Sequence, residues 1–168
     1  MVKSENESSP TQGCRSQQPP TGARSIDEIL ADARRRLHRL DPEAGHLAHR
    51  RGALLVDIRP AAQRAASGSI PGALLIERNV LEWRFDPRCE ARLPVADRYD
   101  LPVIVFCQEG YTSSLAAAAL QDLGLHLATD IVGGFVAWRA AGLPAFGPTD
   151  IYAHLTVPPS TSLRQPIP

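Results

Sequence analysis

The sequence has few of the features that mark charged binding surfaces. Its 18 basic residues, of which only Lys3 is a lysine, are balanced by 18 acidic ones, so the formal net charge is zero. A neutral chain gives no electrostatic reason to expect nucleic acid or a membrane surface as a partner. We predict neither partner, and we attribute the excess of arginine to overall composition because the arginines are spread along the chain.

Long apolar runs and paired cysteines are also lacking. No run reaches the roughly 18 apolar residues of a membrane-spanning helix, and the polar N-terminus does not resemble a secretory signal. The cysteines Cys14, Cys89 and Cys107 are too far apart for a disulfide framework or a paired metal-ligand spacing. We therefore expect a cytoplasmic protein without metal or other cofactor, in which a free cysteine is either inert or chemically used.

Proline marks the two ends of the chain. Residues 1–23 and 147–168 hold eight of the 15 prolines, and the first stretch has almost no large apolar residue. Such a stretch cannot bury enough surface to offset chain entropy. The sequence predicts a disordered segment over 1–23, one domain over 24–146, and a proline-rich, largely disordered tail over 147–168.

Strand and helix patterns alternate inside this domain. The apolar runs at 53–58 and 103–107 are typical of strands buried on both faces, and shorter strands are predicted at 74–76 and 128–132. Ser25 with Glu28 and Asp41 with Pro42 are typical helix starts. Further helices are predicted at 60–66, 79–85, 112–123 and after Gly134. This alternation indicates an α/β fold with a parallel sheet.

The segment CQEGYTSS, residues 107–114, lies between a buried strand and a helix. Ligands of open α/β sheets bind at the carboxyl ends of strands, which is where Cys107 stands. Backbone N–H groups of a strand-to-helix loop can converge on an anion, and Gly110 permits the turn that this needs. Such an environment favours the thiolate, which is the nucleophilic form of cysteine. The alternative is that Cys107 is simply a small core residue that ends an apolar strand.

Four segments in order resemble the rhodanese family of sulfurtransferases. Asp57-Ile58-Arg59 matches the D-[VI]-R element of that family, and Ser69–Ala73 matches its G-H-I-P-G-A element with serine in place of histidine. Residues 107–113 match C-x-x-G-x-R-S with Thr112 in place of arginine. Residues 133–138 match G-G-x-x-x-W. The resemblance covers roughly residues 38–144, the length of one rhodanese module.

This resemblance implies a fold and a reaction. The fold is a three-layer sandwich, in which a five-stranded parallel sheet has helices on both faces. The reaction is covalent catalysis in which Cys107 takes a sulfane sulfur from a small donor or a protein persulfide, holds it as a persulfide, and passes it to a thiol acceptor. The resemblance assigns the anion-binding loop to the residues that follow the cysteine: Gln108, Glu109, Gly110, Tyr111, Thr112 and Ser113.

The other candidate residues have supporting roles. We expect Asp57 to accept hydrogen bonds from loop amides and Arg59 to tie neighbouring elements together. Tyr111 either packs over the cysteine, gates the mouth of the site, or is an exposed loop aromatic. His46 and His49 are spaced as metal ligands can be, but no third ligand is near in sequence, so we assign them to a solvated helix face.

Departures from the family pattern keep a second function open. Thr112 lacks the forked cation that would bind a dianion such as thiosulfate, and Glu109 adds a negative charge beside the cysteine. We therefore expect thiosulfate to be a poor donor and a neutral or protein-bound persulfide to be a better one. The alternative is a catalytically weak rhodanese-like module that acts as a protein-binding or redox-sensing domain.

Overall fold

A computed structural model of the protein describes residues 18–148. Most of the two terminal segments for which we predict disorder, residues 1–17 and 149–168, lies outside the described residues. No helix within residues 18–148 is long and apolar enough to cross a membrane.

Six helices and four strands alternate along the described chain. Their order is α1 Ile26–Arg36, α2 Pro42–Arg50, β1 Leu54–Asp57, α3 Ala61–Ser67, β2 Leu74–Leu75, α4 Leu81–Phe85 (preceded by a 3-10 turn, Arg78–Val80), β3 Val103–Phe106, α5 Thr112–Asp122, β4 Thr129–Asp130 and α6 Gly134–Ala140. Helix α1 begins with the capping box of Ser25 and Glu28, and α2 begins where Asp41 accepts from the amide of Ala44.

The sheet has four parallel strands in the order β2-β1-β3-β4, so the prediction of five strands is wrong for residues 18–148. The fifth position is occupied by Leu40, which makes one parallel bridge to Ile131 beyond β4. Its amide donates to the backbone carbonyl of Asp130 at 3.0 Å, and its carbonyl accepts from the amide of Val132 at 2.8 Å. No longer strand forms because the next residue, Asp41, is already the cap of α2.

Side chains of the sheet alternate between two apolar layers, as the pleat requires. Val56, Val103 and Val105 face a layer that includes residues of α4 and α5 and Leu37, the residue after α1. Leu55, Ile104 and Phe106 face the opposite layer, where α2 and α6 pack. Helices therefore cover both faces of the sheet, and the carboxyl ends of β1, β3 and β4 meet at one edge.

Candidate active site

Cys107 follows the last residue of β3 and opens onto a pocket of about 560 Å³. Its residue is partly buried, so the sulfur lies where a strand interior gives way to a cavity. The pocket is lined by Ile58, Arg59, Pro60, Gln63, Glu77, Arg78, Asn79, Cys107, Gln108, Glu109, Tyr111 and Thr112.

The loop turns at Gly110, which has a φ of +78°. This conformation directs the N–H group of Gly110 to the sulfur of Cys107, at 3.2 Å. A side chain at this position would meet the backbone as well, since an added Cβ would lie 2.7 Å from the nitrogen of Gly133. Glycine is therefore required here both for the left-handed backbone and for the close approach of another segment.

The start of α6 holds the carbonyl groups of the loop. The amide of Phe135 donates to the carbonyl of Cys107 at 2.9 Å, and the amide of Val136 donates to the carbonyl of Gln108 at 3.0 Å. These amides lie in the first turn of α6, where a helix has no internal acceptors for them. Gly134 permits this approach, because a Cβ there would lie 2.4 Å from the carbonyl oxygen of Cys107.

Two arginines donate to the carbonyl oxygen of Gly110. Arg34 donates to this oxygen at 2.9 Å and Arg39 at 3.1 Å. Arg39 also forms a two-point ion pair with Asp130, at 2.7 and 3.0 Å. Gly110 is thus held at its carbonyl oxygen by two arginines, while its N–H group donates to the sulfur.

Sequence reasoning missed Arg34, Arg39 and Asp130. Asp130 ends β4, next to the strand that ends at Cys107, so the rule that places sites at the carboxyl ends of strands could have found it. Arg39 lies 91 positions from Asp130 in sequence, and no local pattern signals such a pair.

Asp57 and Arg59 form a buried ion pair beneath the pocket. Both side chains have no exposed surface, and Arg59 Nη2 lies 2.7 Å from Asp57 Oδ2. Arg59 also donates to the side chain of Gln108 at 3.0 Å and to the carbonyl of Gly68 at 2.9 Å, and its guanidinium lies 3.8 Å from the ring centre of Phe135. Arg59 therefore connects β1, the cysteine loop and α6, while Asp57 accepts from Arg59.

The remaining predicted loop residues divide by burial. Glu109, Tyr111 and Thr112 are exposed and line the pocket, and the ring of Tyr111 lies 5.3 Å from the guanidinium carbon of Arg34. Ser113 is fully buried, and its oxygen accepts from the Cys107 thiol at 3.4 Å.

Every cation that lines the pocket, within the part of the chain that the structure describes, has a carboxylate partner. Arg59 is paired with Asp57, and Arg78 lies 2.6 Å from Glu82. Glu109 also lines the pocket and adds a negative charge that is exposed to water, which screens it. The pocket can therefore hold a polar group of small charge. Among residues 18–148, Cys107 supplies the only thiol on its wall.

Metal-binding clusters are absent from residues 18–148: no three His, Cys, Asp or Glu side chains there are grouped to hold an ion. Cys89, the other described cysteine, is not among the residues that line the pocket of Cys107.

Comparison with known protein families identifies the domain. The model of the rhodanese-like domain matches residues 41–141, which contain Cys107, the loop and the start of α6. The chain belongs to the rhodanese family. Membership of this family explains why the four sequence motifs occur in this order. It also explains the parallel sheet with helices on both faces.

Individual relatives agree with this assignment. A sulfurtransferase of Allochromatium vinosum is 33% identical over 102 residues, which cover 61% of this chain and 86% of that protein. The thiosulfate sulfurtransferase GlpE of Stutzerimonas stutzeri is 34% identical over 101 residues, which cover 60% and 84%. Membership of the rhodanese family and these relatives support sulfurtransferase activity in general.

A solved structure from Rhodopseudomonas palustris is also similar. It belongs to a protein described as of unknown function and a possible tyrosine phosphatase. The match has a TM-score of 0.69 and 33% identity, and it covers 77% of this chain and all of that one.

Proposed function

We propose that the protein transfers a sulfane sulfur through a persulfide on Cys107 to a thiol-type acceptor. One observation carries the proposal: a partly buried thiol at the wall of a pocket accepts the N–H group of Gly110 at 3.2 Å. Because α6, Arg34 and Arg39 engage the loop carbonyls at Cys107, Gln108 and Gly110, these oxygens are not free to repel an anionic sulfur.

The proposed reaction has two balanced steps. The Cys107 thiolate attacks the terminal sulfur of a donor R–S–SH; a Cys107 S–S bond forms, the donor S–S bond breaks, and R–S⁻ leaves. An acceptor thiolate then attacks the terminal sulfur, which forms the acceptor persulfide and releases the Cys107 thiolate. No external oxidant or reductant is needed, and the N–H group of Gly110 stabilises the anion at both stages.

We propose an organic persulfide, neutral or carried on a protein, as the preferred donor. The pocket volume of about 560 Å³ is that of a site for an organic molecule. Thr112 offers a hydroxyl where an arginine would bind a dianion, and the two arginines of the pocket, Arg59 and Arg78, are already paired with carboxylates. Thiosulfate is the competing donor, since it is in the name of the Stutzerimonas relative.

Mass spectrometry after incubation with donors tests the proposal. We expect one added sulfur atom on Cys107 with an organic persulfide, less with thiosulfate, and none in Cys107→Ser. Cys89→Ser is the matched control, because this cysteine is outside the pocket and its removal leaves the adduct intact. If no donor gives an adduct, the proposal is wrong, and the alternative of a binding or redox-sensing module is favoured. Faster transfer from thiosulfate than from the organic persulfide would overturn the donor preference.

The description of the Rhodopseudomonas protein makes phosphatase activity the second candidate. A phosphatase loop of this architecture needs one more residue and an arginine that binds the oxyanion. Here Ser113 stands at that point, and its buried hydroxyl, which donates to Asp130, is no cation that could bind an oxyanion. We expect no hydrolysis of p-nitrophenyl phosphate that depends on Cys107.

A further inference from the structure

A buried chain of hydrogen bonds runs from the reactive thiol to the end of β4. The sulfur of Cys107 donates to Ser113 Oγ at 3.4 Å, and Ser113 Oγ donates to Asp130 Oδ2 at 3.0 Å. The same carboxylate accepts from Ser114 Oγ at 2.8 Å and from Arg39 at 2.7 and 3.0 Å. Asp130, Ser113 and Ser114 have no exposed surface.

The number of protons available in this series of hydrogen bonds decides whether it favours the thiol or the thiolate of Cys107. A serine hydroxyl has one proton to donate, and a carboxylate that is paired with an arginine is an acceptor only. The proton of Ser113 therefore points to Asp130, and the sulfur meets the lone pairs of Ser113. That arrangement suits a thiol, which donates its own proton. A thiolate would need the Ser113 hydroxyl to turn away from Asp130 and donate to the sulfur.

We propose that Asp130 competes with the sulfur of Cys107 for the hydroxyl proton of Ser113, and so controls how readily the sulfur ionises. Asp130 touches neither the sulfur nor the pocket, so it is a positioning residue that acts through Ser113. Arg39 fixes the carboxylate in place and compensates its charge. The inference rests on the proposed function, because it explains how the sulfur would be held as a thiol until a donor arrives.

Other charged groups lie near Cys107 and near Asp130, and the variants of the test leave all of them unchanged. Those that line the pocket of Cys107 are Arg59, Glu77, Arg78 and Glu109, with the phenol of Tyr111 beside them. Arg39 is paired with Asp130, and Arg34 contacts the oxygens of Ser114 and Gly110. None of them is changed in the variants below.

Asp130→Asn tests the proposal with little change of shape. The amide nitrogen of an asparagine can donate to both serine oxygens; the Ser114 hydroxyl can then turn to the carbonyl of Gly110, 3.3 Å away, and the Ser113 hydroxyl to the sulfur. Arg39 keeps the Gly110 carbonyl as an acceptor. We expect the midpoint of the pH profile of Cys107 alkylation by iodoacetamide to fall, with about tenfold faster alkylation well below the midpoint.

Serine variants separate this role from a merely structural one. Ser113→Ala should also lower the midpoint, because the acceptor for the thiol proton is lost. In that background Asp130→Asn should have a smaller effect, since only the loss of the carboxylate charge remains. Ser114→Ala is the matched control: this hydroxyl binds the same carboxylate without touching the sulfur, so the midpoint should not move. If Asp130→Asn does not fold, the two serine variants decide.

Three results would overturn the proposal: an unchanged or higher midpoint in Asp130→Asn, a higher midpoint in Ser113→Ala, or the same shift by Asp130→Asn with and without Ser113. Persulfide formation is measured on the same samples. A wild-type protein that takes up no sulfur would contradict the proposed function, whereas the alkylation profiles would still decide the role of Asp130.

Discussion

At the scale of single residues, the ion pair of Arg59 and Asp57 buries two opposite charges beside the cysteine loop. Two charges without exposed surface lie 2.7 Å apart, and Arg59 also donates to Gln108 and to the carbonyl of Gly68. Burying charges costs several kcal/mol per ion, and close pairing with further hydrogen bonds offsets that cost. The pair therefore matters more for holding the loop in one position than for stability as such.

Arg59→Met leaves the carboxylate of Asp57 buried without its partner. We expect a loss of about 3–5 kcal/mol in the free energy of unfolding, measured by urea denaturation. Arg98→Met is the matched control, because Arg98 is more than half exposed and pairs with the exposed Asp100; its loss should be at most about 1 kcal/mol. Equal losses in both variants would contradict this account of the buried pair.

Gly110→Ala tests the geometry of the cysteine loop. An added Cβ would lie 2.7 Å from the nitrogen of Gly133 on a backbone with φ of +78°, so the loop must shift. We expect persulfide formation on Cys107 to slow by roughly a hundredfold, as displacements of about 1 Å do. Gly142→Ala has a similar φ of +67° but open space around it, and transfer at the normal rate is the expected control result.

At the scale of elements, sequence patterns predicted what depends on neighbours along the chain. Ser25 and Asp41 predicted the starts of α1 and α2 from capping chemistry alone. The apolar runs predicted β1 and β3, which lie between two layers. The fifth strand, which the family resemblance implied, does not form, because only Leu40 of the short segment between α1 and α2 makes a bridge. That bridge depends on Ile131, which is far away in sequence.

The capping box of α1 makes a prediction about pH. The backbone N–H of Ser25 donates to the carboxylate of Glu28, and this hydrogen bond, followed by that of the Ser25 hydroxyl, lowers the pKa of Glu28 below its ordinary 4.5. A lowered pKa stabilises the fold above the ordinary value, and that stabilisation is lost as the pH falls through the lowered pKa. We expect Glu28→Gln to unfold with a weaker dependence on pH in this acidic range.

The measurement for Glu28 is thermal unfolding followed from pH 7 to about pH 3, with Ser25→Ala as the companion variant. Removing the Ser25 hydroxyl should lower the free energy of unfolding by about 1 kcal/mol. If the stability of Glu28→Gln falls with decreasing pH in the same way as that of the unaltered protein, the capping box does not contribute to this pH dependence.

At the scale of the whole molecule, the site depends on contacts that no local pattern encodes. Gly110 is held by Arg34 and Arg39, which are 76 and 71 positions away, and Asp130 is reached from Arg39 across 91. The motifs around Cys107 predicted the loop between β3 and α5 on which the proposed nucleophile stands. They could not predict which distant side chains fix it, because these pairs follow from the packing of α1 and α5 on one side of the sheet.

Residues 143–148 also make contacts with segments that are distant in sequence. Phe146 exchanges two backbone hydrogen bonds with Ser69, at 2.8 and 3.2 Å, and the indole of Trp138 donates to the carbonyl of Pro144 at 2.9 Å. Leu143 and Ala145 pack on the layer beneath α6. Ser69 follows Gly68, whose carbonyl holds Arg59, so this segment supports the cysteine loop from behind.

A chain that ends at Gly142 should therefore be less stable and slower to take up sulfur. The buried indole of Trp138 loses its acceptor and the layer loses apolar cover, so we expect a loss of at least about 2 kcal/mol in the free energy of unfolding. A chain limited to residues 18–148 is the control and should match the full chain in both measurements, as the predicted domain of residues 24–146 requires. Equal stability of the two shortened chains would mean that the Phe146 bridge does not hold Gly68 and Arg59 in place.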